Sequence, residues 1–143
     1  MGHRRKINVI IPYPPSVNTY WRAVKGRVIL SKRGREYRDA VYSAINSAFE
    51  SDEVEDLRPL LGRLKVKIIA TMPDKRRRDI DNINKAALDA LGYAGVYGDD
   101  NQIDDLRVLR GDVFSPGCLD ITIKELSDDI MTQEKTDGKC DHK

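Results

Sequence analysis

The stretch Leu64-Lys65-Val66-Lys67-Ile68-Ile69-Ala70-Thr71-Met72-Pro73-Asp74-Lys75-Arg76-Arg77-Arg78-Asp79-Ile80-Asp81-Asn82 changes character three times. Leu64, Val66, Ile68 and Ala70 alternate with Lys65, Lys67 and Ile69, the period-two pattern of a strand with one buried face. Four consecutive bases follow, and directly behind them stand Asp79 and Asp81. A helix is expected to start near one of these acids and to end around Gly92 or Gly95. Ile83, Ala87, Ala90, Leu91 and Ala94 recur along it at helical spacing. The turn after that helix, Tyr97-Gly98-Asp99-Asp100-Asn101, returns a second acidic pair.

Working outward, residues 6–12 read as a short strand rich in β-branched residues. Pro12, Pro14 and Pro15 end it and force an extended loop, which Ser16–Trp21 continues. Arg27–Leu30 is a second short strand after the Lys25-Gly26 turn. Ser31 is placed to cap a helix running to about residue 50, with Tyr37, Val41, Ala44, Ile45 and Ala48 as its buried stripe. Residues 51–62 read as a loop. Beyond the second acidic pair, Leu106, Val108 and Leu109 mark a strand over 104–111. Ser115-Pro116-Gly117 then makes a hairpin-like connection to a last strand, Leu119–Ile123. This order predicts an α+β fold: a small mixed, mostly antiparallel sheet with two principal helices. It occupies residues 1–126. Residues 127–143 are polar and without periodicity, as expected of a disordered tail.

The 143 residues suffice for one domain with a single core, and there are no internal repeats. No apolar run approaches the roughly 20 residues of a membrane-spanning helix. No apolar core or cleavage site follows the basic N-terminus, so no signal peptide is read and a cytoplasmic protein is expected. Cys118 and Cys140 form neither a disulfide framework nor metal-ligand spacing. His3 and His142 sit at the two ends of the chain. A histidine-based zinc site and a Ser-His-Asp triad are therefore disfavoured. The net charge is only +2. Residues 127–143 hold five acids against three bases, which leaves 22 bases against 18 acids elsewhere. The local density at 75–78 matters more than this total.

Acids without cationic partners repel one another and usually need a metal ion or a proton. Mg²⁺ suits such a set, because it binds through one or two carboxylates and keeps several waters. Each feature also has a plainer reading. Asp79 and Asp81 could serve only the helix macrodipole. Asp99-Asp100 could be turn chemistry. The bases could be a solvated loop. Lys85 could be an i,i+4 ion-pair partner of Asp81 or Asp89, and Asp89 falls on the polar face, outside the site. Tyr20 and Trp21 could cover the edge of the core instead of stacking on bases. What the plainer readings leave unexplained is the combination: bases that suit phosphates, set directly against acids that suit a metal.

Three segments carry a family resemblance: Pro12-Tyr13-Pro14-Pro15-Ser16-Val17-Asn18, Tyr37-Arg38-Asp39, and the block from Met72 to Leu91 closed by Gly98-Asp99-Asp100-Asn101-Gln102. Together they resemble the RusA family of Holliday-junction resolvases over roughly residues 7–126. The most specific element is the basic run followed by Asp79-Ile80-Asp81-Asn82-Ile83-Asn84-Lys85, with Asp-Asp at this distance behind it. The resemblance implies a homodimeric, Mg²⁺-dependent endodeoxyribonuclease, with Mn²⁺ as a substitute ion. It would resolve four-way DNA junctions by paired symmetric nicks in recombination and repair. Asp79, Asp81 and Asp100 match the family's metal-binding catalytic acids, with Asp99 ranked just below. Lys85 and Arg78 match basic residues that support catalysis and DNA contact, Lys85 as a fixed positive charge at the catalytic site. Lys75, Arg76, Arg77, Arg78 and Asn18 are the expected DNA-binding residues. Lys75 departs from a position where the family often has arginine, and the 51–62 loop is longer than in the shortest relatives. Two alternatives stay open: a metal-dependent nuclease for flaps or forks, and a non-catalytic junction-binding protein.

Overall fold

The computed structural model describes residues 5–51 and 55–126. In chain order the elements are β1 (Lys6–Pro12), α1 (Val17–Tyr20), β2 (Trp21–Val24), β3 (Arg27–Leu30), α2 (Lys32–Ala48), β4 (Leu64–Met72), α3 (Asn84–Tyr93), β5 (Ile103–Val113) and β6 (Cys118–Glu125). Two 3₁₀ turns, Ile80–Ile83 and Asp100–Gln102, precede α3 and β5. β1, β6, β4 and β5 form one sheet in that order. β6 runs antiparallel to both β1 and β4, and β4 and β5 are parallel. The sheet is therefore mixed, as its sequence order suggests.

Alternation sorts the two faces. Ile7, Val9 and Ile11 of β1 are buried, as are the alternate residues of β4 from Leu64 to Met72. Leu119, Ile121 and Ile123 of β6 join them. α2 and α3 cover this face with Tyr37, Val41 and Ile45 from one helix and Ala86, Ala87, Ala90 and Leu91 from the other. Each large apolar side chain so buried contributes roughly 1.5–3 kcal/mol. The tail beyond residue 126 lies outside the described residues.

The structure corrects four expectations. Residues 17–21 are not loop but α1 and the start of β2. Ser16 O accepts from Thr19 N and Tyr20 N at 2.9 Å, closing one helical turn, and β2 then pairs with β3. The driving term is Tyr20, which is fully buried and packs edge-on to Trp21 and Tyr37. The buried stripe of α2 is narrower than its periodicity implies: Ala44 is half-buried and Ala48 exposed. The connection after β5 is not a hairpin, because β4 lies between β5 and β6. It crosses the end of β4 instead. Phe114 N donates to Met72 O at 2.9 Å, and Gly117 takes φ +83°, where an added Cβ would stand 2.8 Å from Thr71 O. Last, the helix after the basic run opens as a 3₁₀ turn with Asp79 at its N-cap, and regular α-helix begins only at Asn84.

Candidate active site

The loop leaving β4 is organised by Asp74. Its carboxylate accepts from Arg76 N at 3.0 Å and takes Arg78 in a two-point grip, Nε at 3.3 Å and Nη2 at 2.9 Å. The Arg78 hydrogen bond, with the Arg76 amide behind it, holds the Asp74 carboxyl below its usual range. Arg78 also lies over the Tyr13 ring, 5.8 Å from its centroid. Arg110 of β5 donates to Arg78 O at 2.7 Å and props the loop from the sheet edge. The basic run is thus not uniform. Arg78 is half-buried and engaged, and Arg76 lies 3.8 Å from Asp74. Lys75 and Arg77 are exposed, with no ion-pair partner among the described residues.

Asp79 and Asp81 follow, both exposed. Asp79 holds the N-cap position of the 3₁₀ turn, yet its side chain makes no capping hydrogen bond. Neither carboxylate has an ion-pair partner among the described residues. The macrodipole reading therefore leaves both groups available. Asn82 Oδ1 accepts from Val17 N at 3.3 Å and ties the acidic turn to the proline-rich loop. Between these segments lies a cavity of about 460 Å³, whose polar lining includes Tyr13, Ser16, Arg77, Arg78, Asp79 and Asn82. Asn18 faces a different, shallow hollow with Trp21 and Arg22.

Lys85 stands one turn further along α3, exposed, and forms no salt bridge to Asp81 or Asp89. Asp89 belongs to a network that sequence reading placed outside the site. Arg38 of α2 grips it at 2.8 and 3.1 Å, and the Tyr20 hydroxyl donates to it. Burial works against its ionisation. The bonds from Arg38 and Tyr20 outweigh that, aided by the Lys85 charge, and keep the carboxyl below its ordinary range. Asp89 shares a hollow of about 220 Å³ with Asp99 and Asp100.

The second acidic pair splits into two roles. Asp99 caps the 3₁₀ turn by accepting from Asn101 N at 3.0 Å. Gln102 completes the capping box, accepting from Gly98 N and Asp99 N and donating to Leu60 O and Gly62 O. Asp100 is exposed and has no ion-pair partner among the described residues.

The two pairs do not meet within one chain. Asp79 and Asp81 precede α3, and Asp99 and Asp100 follow it, beside Asp89 of the helix. Among the described residues, no three Asp, Glu, His or Cys side chains are placed to share a metal ion. The Asp79–Asp81 donor set nevertheless suits a hard cation: two exposed, unpaired carboxylates, with room for retained waters. In the same block, Asn84 Oδ1 is a buried oxygen with no hydrogen-bond partner.

Known proteins resemble this chain closely. The family model described as Endodeoxyribonuclease RusA matches residues 12–124. The crossover junction endodeoxyribonuclease rusA of Enterobacteria phage HK97 is 44% identical over 117 residues, covering 82% of this chain and 92% of that protein. The crossover junction endodeoxyribonucleases RusA of Shigella sonnei (strain Ss046) and Escherichia coli (strain K12) are each 41% identical over 122 residues, 85% of this chain and 97% of theirs.

Proposed function

This chain belongs to the endodeoxyribonuclease RusA family, and from that membership we propose that it is a crossover junction endodeoxyribonuclease, acting on four-way DNA junctions as a homodimer with Mg²⁺. The observation that carries this reading is the set Asp79, Asp81 and Asp100. All three are exposed carboxylates without ion-pair partners among the described residues, two of them directly behind projecting bases. Asp79, Asp81 and Asp100 would hold the divalent ion, with Mn²⁺ as a substitute. Such an ion, when bound, lowers the pKa of a coordinated water and offsets charge on the phosphate oxygens. Lys75, Arg76 and Arg77 position the DNA backbone. Arg78 shapes the loop from within and presents its edge to the same cavity. Lys85, on α3 and without an ion-pair partner among the described residues, supplies fixed positive charge where the scissile phosphate gains negative charge.

Because no three acids of one copy, among the described residues, are placed to share a metal ion, we put Asp100 of a second copy beside Asp79 and Asp81 of the first. A four-way junction has near two-fold symmetry, and a C₂ dimer offers it two equivalent sites for matched cuts. The test is cleavage of a synthetic four-way junction beside linear duplex of matched sequence, with Mg²⁺ or with EDTA. Paired nicks on the junction alone, abolished by EDTA and by Asp81→Asn while binding persists, are the expected result. Preferential cutting of flaps or forks would move the substrate assignment. Binding without cleavage under every divalent ion would leave only a junction-binding protein.

A further inference from the structure

The sheet face away from the helices carries an ordered basic patch. Strand registers align its side chains into rows across the strands. Lys6, Lys124, Lys65 and Asp105 form one row; Asn8, Thr122, Lys67 and Arg107 form the next. Five cations thus stand in two adjacent rows against one acid. That acid is already engaged, 3.8 Å from Lys65 and 3.4 Å from Arg107. Lys6, Lys67 and Lys124 are exposed and have no ion-pair partner among the described residues. In the third row Asp120 accepts from Asn8 at 2.9 Å, and Ile10, Ile69 and Leu109 beside it are exposed. A groove of about 390 Å³ runs between the basic side chains, floored by Thr122 and Leu109.

We propose that this face is a second nucleic-acid surface, which holds the phosphate backbone of a duplex arm away from the acidic site. The span from β1 to β5 is about 14 Å. A duplex presents a phosphate on each strand about every 3.4 Å of axis, so several fall within that span. Lysines with no ion-pair partner among the described residues match a polyanion. A second copy of the same face would bring like charges together, which disfavours it as the occupant. This inference rests on the reading of the chain as a DNA enzyme, and it adds an arm-binding surface to that reading.

The experiment compares wild type with the double variant Lys67→Ala/Lys124→Ala. Binding is measured over a range of salt, in Ca²⁺ to hold off cleavage, on junctions with long arms and with arms cut to about one helical turn. The variant is expected to reduce the slope of log K against log salt by about two on long arms. On short arms it is expected to match wild type in binding and in Mg²⁺-dependent nicking. An unchanged slope on long arms, with nicking intact in both proteins, would overturn the arm surface and leave the nuclease reading standing. A reduced slope in a protein that nicks nothing would do the reverse. A loss of dimer by sedimentation in the variant would show the face to be a contact between copies and overturn the proposal.

Discussion

At the scale of single residues, adjacent side chains of one type have different work. Asp99 and Asp100 are neighbours, but Asp99 is consumed by a capping box and Asp100 is left open. The pattern that signals this division is Gln102 three residues after Asp99, at capping-box spacing, and reading the turn as one acidic pair passes over it. Arg77 and Arg78 split in the same way, because Asp74 lies four residues before Arg78 and grips it. Such contacts depend on where the loop turns, which a run of bases does not specify. Lys85 yields a kinetic prediction. Lys85→Ala should lower junction turnover about 10²-fold, in line with removal of one charge-stabilising donor. Junction affinity measured without divalent ion should be nearly unchanged. Gly34 yields a stability prediction. An added Cβ would stand 2.5 Å from Tyr20 O and 2.9 Å from the Leu30 side chain, so α2 could not approach α1 as it does. Gly34→Ala should destabilise the fold by about 1–3 kcal/mol in denaturant melts.

At the scale of elements, periodic patterns were readable and topology was not. The alternation of β4 and the Ser31 cap of α2 specify those elements locally; Ser31 Oγ accepts from Gly34 N at 3.0 Å. The Ser115-Pro116-Gly117 turn marks a chain reversal but not which strand lies beside it. β4 occupies that place because its alternate residues are buried along its whole length, while β5 is half-exposed and fits an edge. α1 was missed because Tyr20 reads as a loop aromatic until Tyr37 and Asp89 are known to meet it. That network joins α1, α2 and α3, and it gives a pH prediction. The folded carboxyl of Asp89 lies below its ordinary value. The stabilisation it confers is therefore complete above the unfolded pKa of about 4 and is lost as pH falls through the folded value. Asp89→Asn should be less stable than wild type by about 2 kcal/mol at neutral pH. The gap should narrow on acidification below about pH 4, as followed by thermal melts across pH. A gap of constant size down to acid would show that packing, not charge, is what Asp89 contributes.

At the scale of the whole molecule, the proposed site poses the question of how acids before and after α3 would act together. The sequence showed that the two pairs bracket one helix, but it could not show that, among the described residues, no three acids of one copy are placed to share a metal ion. Two arrangements are open to a dimer. In one, each site draws all its carboxylates from its own chain. In the other, Asp79 and Asp81 of one copy work with Asp100 of the second. Mixing inactive variants separates them. Asp81→Asn and Asp100→Asn proteins are each expected to be inactive alone. When the two are unfolded together and refolded, heterodimers form. If sites are shared between copies, each heterodimer has one site carrying both substitutions and one carrying neither. The intact site should restore Mg²⁺-dependent nicking, and the product should be a junction cut in one strand, not a paired resolution. If each site is built within one chain, both sites of the heterodimer are damaged and no cleavage returns at any mixing ratio. We expect the first outcome, because among the described residues no three acids of one copy are placed to share a metal ion.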